Sequence, residues 1–211
     1  MTIYIARHGQ TEWNLIRRIQ GQTNTSLSTA GIQQGLDLCQ LLKDQPINRI
    51  FTSSLDRTIN TAKPLAEHLG ITIQPTKLLN ELAFGVLEGQ YLLDLDEEGK
   101  RIWDWWMEDQ AQRRIPDGES YLDLRMRAEK FLEENLNEED QETVLIVAHN
   151  RINQMLLSCL LDVPLSRTIQ IEQKNTWLYR YAPGENIEGT EITSLDHDKV
   201  RWVTGLLNSG L

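Results

Sequence analysis

The sequence predicts an α/β sandwich, and three observations carry that prediction. Apolar runs bounded by polar turns recur at residues 3–6, 50–51, 71–73 and 144–148, and helical patterns of apolar residues lie between them, which is the alternation of a layered sheet. The chain has 211 residues, 40% of them hydrophobic and 25% charged, the make-up of an ordinary globule that can bury a substantial core as one domain over 1–211. No apolar run approaches the ~18 residues needed to span a bilayer.

Taken in order, the first strand (3–6) lacks the basic flank and apolar stretch of a signal peptide, so a cytoplasmic protein is expected. A helix is announced by Ser28 as N-cap, with Ile32, Leu36, Cys39 and Leu42 predicted as its inward stripe. A second helix follows Ser54 as its predicted cap, with Leu55, Ile59, Ala62, Ala66 and Leu69 inward, Pro64 as a predicted kink and Gly70 as its stop. Residues 86–116, rich in acids and holding Trp103, Trp105 and Trp106, interrupt the rhythm and predict short helices over one end of the sheet. They form either a lid or an insertion packed onto the body by its tryptophans. The helix after Ser120 carries Tyr121, Leu124, Ala128, Phe131 and Leu132 on one face and ends in a solvated acidic run, 133–142. A last extended segment is predicted over 169–181 before the Pro183-Gly184 turn.

Charge and cysteine usage narrow the partners. Thirty-one acidic residues against 21 basic give a formal charge of -10, which argues against nucleic acid and against an anionic membrane surface. Cys39 and Cys159 sit among leucines with no CxxC, so buried thiols are expected rather than a disulfide or a zinc site. Any anion-binding charge must then be local.

The chemistry gathers at strand ends. Residues 2–6 run straight into Arg7-His8-Gly9, and 143–148 deliver His149 in the same way; in open α/β sheets ligands bind at the carboxyl ends of strands. If the two strands are parallel, His8 and His149 emerge side by side. Two imidazoles and an arginine suit a transferring phosphoryl group, one ring attacking phosphorus while cations stabilise the equatorial oxygens. Arg57, in the first turn after Ser54, adds a planar fork that can donate two bonds to phosphate.

Five ordered blocks resemble the histidine phosphatase superfamily, the phosphoglycerate-mutase-like enzymes: the octet from Arg7 to Asn14, GQTNTSLSTAG from Gly21, SLDRTINTA from Ser54, NELAFGVLEG from Asn80, and Val147-Ala148-His149. The resemblance implies a three-layer α/β/α sandwich with a mostly parallel central sheet, and His8 as the residue that is phosphorylated. Arg7, Arg57 and His149 would complete the phosphate pocket, Asn14 would bind phosphate or fix the pocket, and Gln20 and Gly21 would touch the rest of the substrate. Glu81 matches the acid that protonates the leaving alcohol, with Glu88 as the second candidate. The family works without metal, so no cofactor is expected, and no HxH or CxxC spacing appears.

One departure is Asn150, where the family usually has glycine. Asparagine either tolerates the backbone angles that favour glycine or turns its amide into the site. His68 and His197 match no block and are read as structural, and Arg17, Arg18, Arg113, Arg114, Arg125 and Arg127 as surface, although Arg113 or Arg114 could steer a substrate carboxylate if 86–116 is a lid. The expected function is hydrolysis of a small phosphorylated metabolite. Mutase-type transfer and a non-catalytic phosphate-binding regulator stand as alternatives, and a homodimer is compatible with the usual symmetry of small enzymes.

Overall fold

In the computed structural model, which describes residues 1–137, 141–168, 171, 173–192 and 202–206, strands and helices alternate along the chain. β1 (Thr2–Arg7) leads through the single turn α1 (Glu12–Leu15) to α2 (Thr29–Leu42), β2 (Arg49–Ser53), α3 (Asp56–Leu69) and β3 (Ile73–Thr76). Two 3-10 turns, Lys77–Leu79 and Gly85–Leu87, precede α4 (Glu97–Glu108) and α5 (Tyr121–Asn135). Then come β4 (Thr143–Ala148), α6 (Asn150–Leu160), α7 (Leu165–Thr168), β5 (Trp177–Tyr181), β6 (Glu188–Glu191) and β7 (Val203–Thr204).

The strands form one sheet in the order β3-β2-β4-β1-β5-β6-β7. β3, β2, β4 and β1 run parallel, and β5, β6 and β7 add antiparallel at the β1 edge, so the sheet is mixed. β4 lies inside the parallel part and is apolar from Val144 to Ala148 because both its faces are covered. Val144, Ile146 and Ala148 point into a core shared with Leu124, Ala128 and Phe131 of α5 and Ile152, Met155 and Leu156 of α6. Leu145 and Val147 point the other way, onto Leu38 and Leu42 of α2 and Ala62, Leu65 and Ala66 of α3. This alternation produces the three layers. Among the described residues no helix is long and apolar enough to cross a membrane.

Several local expectations hold and others are corrected. Ser28 and Ser120 cap α2 and α5 with side-chain bonds to the amides of Gly31 and Asp123, and Gly70 ends α3 in the left-handed conformation. The inward face of α2, however, is Gly31, Gly35, Asp37, Leu38 and Leu42, while Ile32 and Leu36 are exposed and Cys39 is half-buried. The glycines decide it: a Cβ on Gly31 would stand 2.0 Å from the Gln10 carbonyl oxygen, and one on Gly35 would stand 3.1 Å from that of Thr61, so α2 turns its bare backbone inward. Leu55, not Ser54, is the N-cap of α3, because the Ser54 hydroxyl and amide both bond Asn80 Oδ1. α3 continues through Pro64. β3 starts at Ile73 rather than Ile71, and of the described residues in the predicted segment 169–181 those of Trp177–Tyr181 form a strand. Residues 169, 170 and 172 lie outside the described residues, as does His197, while His68 is exposed in the last turn of α3. Cys159 is half-buried like Cys39, and both are free thiols.

In the acidic insertion, α4 buries Trp106 completely, stacked on Tyr121 at 6.0 Å between centroids. Trp103 lies parallel to Phe84 at 6.4 Å, and Trp105 is largely exposed.

Candidate active site

Because β1 and β4 pair in parallel register, with Arg7 opposite Ala148, the next residue of each strand emerges beside its neighbour. The His8 amide donates to the Ala148 carbonyl at 2.9 Å, and the His8 and His149 ring centroids are 5.0 Å apart. β2 ends on the other side of β4 and contributes Ser53.

The two imidazoles are held differently. His8 Nδ1 lies 2.7 Å from the Gly9 carbonyl oxygen, which can only accept, so Nδ1 carries the proton and Nε2 keeps its lone pair. Burial foremost, then the charges of Arg57 and Arg7, hold this ring well below the usual histidine range, so it is neutral with a bare Nε2. His149 has both nitrogens engaged: Nδ1 accepts from Arg57 Nε at 3.2 Å, and Nε2 therefore donates to Ser53 Oγ at 2.8 Å. Burial, and then Arg57, push its pKa down too. The sequence reading put His149 in the phosphate pocket; in the structure its wholly buried ring lies 5.0 Å from that of His8 and holds Arg57 Nε on its Nδ1.

Arg57, wholly buried in the first turn of α3, donates Nη1 to the Thr23 carbonyl at 2.8 Å and Nη2 to that of Gly21 at 2.7 Å. With Nε on His149, three of five N–H groups are used and two remain for a ligand. Arg7 donates Nη1 to the Gln173 carbonyl at 2.9 Å, yet its buried Nε has no partner. Burial pushes both guanidinium groups down to about 10. Unsatisfied buried donors are rare, and here they point to an anion that completes them.

Asn14 closes α1 in a capping box, its Oδ1 accepting from the Thr11 amide at 3.0 Å, which leaves its NH2 uncommitted at the cavity wall. Gln20 is fixed through Oε1 by Thr11 and Thr25 hydroxyls at 3.0 and 2.7 Å. Gly21 adopts φ +51°, and a Cβ there would fall 2.0 Å from Glu88 Oε1. Glu88 is thereby explained: its carboxylate takes the amides of Gln22, Thr23 and Phe84 and the Thr23 hydroxyl, clamping the Gly21 loop rather than serving as an acid.

Glu81 sits at the N-terminus of α6. Its Oε1 accepts from the amides of Leu82, Arg151 and Ile152 at 2.9, 3.1 and 3.3 Å, while Oε2 has only the Arg151 amide at 3.3 Å. Arg127, paired with Glu119 at 2.8 Å, braces this segment through the carbonyls of Leu78, Asn80 and Glu81.

These residues border a cavity of about 180 Å³ lined by Arg7, His8, Asn14, Gln20, Gly21, Arg57, Glu81 and Asn150. Asn150 is the first residue of α6 and has no positive φ, so its position needs no glycine; its Oδ1 accepts from the Gln173 amide at 3.2 Å and its side chain faces the cavity. The remaining lining, Arg18, Ile19, Phe84, Leu92, Trp103 and Arg151, was not foreseen. Arg18 was read as surface, but its guanidinium lies 4.2 Å over Trp13, bonded through Nε to the Gly89 carbonyl. Arg113 and Arg114 are instead paired with Glu108 and Asp123 and do not line the cavity. Among the described residues, no three His, Cys, Asp or Glu side chains assemble a metal site.

Compared with known proteins, residues 3–196 match the model of the histidine phosphatase superfamily, branch 1. The chain belongs to this superfamily. A relative from Yersinia pestis, named a probable phosphoglycerate mutase GpmB, is 34% identical over 180 residues, 85% of this chain and 84% of that protein. The α-ribazole phosphatase of Shigella flexneri has the same fold, with a TM-score of 0.78 at 24% identity over 99% of this chain and 96% of its own. A mycobacterial glucosyl-3-phosphoglycerate phosphatase solved with VO3 superposes with a TM-score of 0.75 at 25% identity, 98% of each chain being covered. The superfamily's three-layer architecture is the one seen here, and its histidine phosphatase chemistry has its candidate residues around the cavity.

Proposed function

We propose that this histidine phosphatase hydrolyses a small phosphomonoester through a phosphohistidine on His8, without a metal. The observation that carries the reading is the state of His8: neutral, with Nδ1 tied to Gly9 and a bare Nε2 beside the free N–H groups of Arg7 and Arg57. Nε2 attacks phosphorus and the ester P–O bond breaks, its electron pair leaving with the alcohol oxygen, which takes a proton from Glu81. Water then attacks the phosphohistidine, giving its proton to Glu81, and the P–N bond breaks to restore His8 and release phosphate. Arg7 and Arg57 stabilise the equatorial oxygens throughout.

The name of the Yersinia relative favours a second reading, mutase transfer. Against it, the residues after Glu81 are Leu82, Ala83 and Phe84, apolar where a mutase needs extra anchors to retain its intermediate and exclude water. The test is phosphate release from a panel of metabolite monoesters in excess EDTA, beside a coupled phosphoglycerate mutase assay on the same preparation. Release should exceed interconversion by at least ~10²-fold in kcat/KM, about 2.7 kcal/mol. Rapidly quenched protein should carry an acid-labile label that His8→Ala lacks. Interconversion faster than release would put the mutase first, and turnover abolished by EDTA would end the metal-free reading.

A further inference from the structure

Two sets of arginines that are at least half-buried stand apart among the described residues. Those half-buried away from the cavity, Arg49, Arg113, Arg125, Arg127 and Arg180, each hold a carboxylate in an ion pair. The four that line the cavity, Arg7, Arg18, Arg57 and Arg151, hold none among the described residues. In a chain of formal charge -10, four such guanidinium groups around one lining carboxylate, Glu81, make a concentrated positive field. A phosphomonoester dianion accounts for Arg7 and Arg57. Arg18 and Arg151 remain.

Their settings differ. Arg18 is pinned between aromatic rings, 4.2 Å from Trp13 and 5.5 Å from Tyr91, with Nε on Gly89. Arg151 is loosely held: its guanidinium lies 5.8 Å from the Tyr121 ring, and its side-chain hydrogen bond to Gln154 Oε1 is long at 3.5 Å. It is near enough to Arg7 that its charge helps to lower that pKa, a like-charge approach in a buried place that an intervening anion would relieve. The Arg151 amide also binds Glu81 at 3.1 Å, which ties this residue to the acid that serves the leaving oxygen. Glu81 and Arg151 line the same cavity, so a group carried by the leaving alcohol and bound there meets this guanidinium. A cavity of about 180 Å³ is small beside the ~300–1,000 Å³ of pockets for drug-sized ligands, which suits a short alcohol.

Resting on the phosphatase reading, we propose that Arg151 is the specificity-determining residue of this site and binds a second oxyanion, carboxylate or phosphate, carried by the leaving alcohol. Its planar fork pairs with either oxyanion through two parallel bonds, and Arg18, in the same cavity lining, adds charge. The substrate is then a short phosphomonoester with two acidic groups, not a neutral sugar or nucleoside phosphate.

The experiment measures kcat/KM by phosphate release for two matched pairs: phosphoglycolate against ethyl phosphate, and propanediol bisphosphate against propanediol monophosphate. The native enzyme should prefer the doubly anionic member of at least one pair by roughly 30-fold or more, and the preferred pair identifies the oxyanion. Arg151→Gln should collapse that preference to below about threefold, while Arg151→Lys, which keeps the charge and loses the fork, should fall between. A native enzyme without preference in either pair, or an Arg151→Gln variant that slows both members equally, overturns the proposal and leaves the phosphatase reading standing. Release from no ester at all contradicts the phosphatase reading, and this inference with it.

Discussion

Glu81 shows how a single side chain is prepared for one role. Three amides fix Oε1, so the oxygen with the lone 3.3 Å contact, Oε2, is the one free to meet a leaving oxygen. Glu81→Gln keeps the shape and removes the exchangeable proton. It should slow alkyl phosphates by about 10²–10⁴-fold while p-nitrophenyl phosphate, whose leaving group hardly needs a proton, loses less than ~10-fold. Steady-state kinetics on both esters decide it, and equal losses would mean that Glu81 only positions α6. Legibility at this scale followed locality. His8, Arg7 and Arg57 stand at strand ends or a helix start, where residue type and placement imply the chemistry, and Glu81 was legible only through the resemblance of its segment to the family's acid-bearing one. Arg18 and Arg151 were illegible because an arginine faces a cavity or the solvent according to how distant segments fold, here those bearing Phe84, Leu92 and Trp103. Glu88 carries the same carboxylate as Glu81 but is consumed by four donors from the Gly21 loop and Phe84, a commitment only the folded loop displays.

At the scale of elements, α2 separates what a helix's sequence announces from what its neighbours impose. Its start was written in Ser28, since a cap is a contact within three residues. Its buried face was not, because an apolar stripe through Ile32 and Leu36 competes with glycines that let backbone approach backbone. The competition can be measured. Gly31→Ala gains up to about 1 kcal/mol of helix propensity, yet the new Cβ meets the Gln10 carbonyl oxygen at 2.0 Å, a backbone atom that cannot swing aside. We expect a net loss of roughly 2 kcal/mol, within the usual range for overpacking, read from the urea midpoint at unchanged slope. Ile32→Gln and Leu36→Gln should each change stability by less than ~0.5 kcal/mol. Larger losses at Ile32 and Leu36 than at Gly31 would restore the apolar stripe as the packed face. The sheet, by contrast, was legible in its parallel half because continuous apolar runs imply cover on both faces. Its antiparallel edge was not, since β6 and β7 are short and weakly patterned.

For the whole molecule, the site carries a stability cost that pH exposes. His8 and His149 are both buried, and both have pKa values well below 6.5 through burial and the nearby arginines. In the unfolded chain each titrates near 6.5. A depressed folded pKa means that the unfolded state binds more protons once pH drops, so the histidine contribution is fully present above about pH 6.5 and is lost below it. Between pH 8 and 5.5 each ring should cost on the order of 1 kcal/mol, against the 5–15 kcal/mol typical of a domain. Easing the repulsion within a chain of formal charge -10 works in the opposite direction as carboxylates begin to protonate, so the clean measurement is a difference. His8→Asn serves, because its amide nitrogen can take over the Nδ1 bond to the Gly9 carbonyl without a titrating group. Denaturant unfolding of native enzyme and variant at pH 8, 6.5 and 5.5 should show the native protein losing on the order of 1 kcal/mol more than His8→Asn on going from pH 8 to 5.5. Saturating inorganic phosphate should offset part of the native loss, since an anion among Arg7, Arg57 and His8 favours the folded state and makes a protonated ring less costly. Equal pH dependence in the two proteins would mean that His8 is not held neutral in the folded chain, and a bare Nε2 would then no longer explain how phosphorus is attacked.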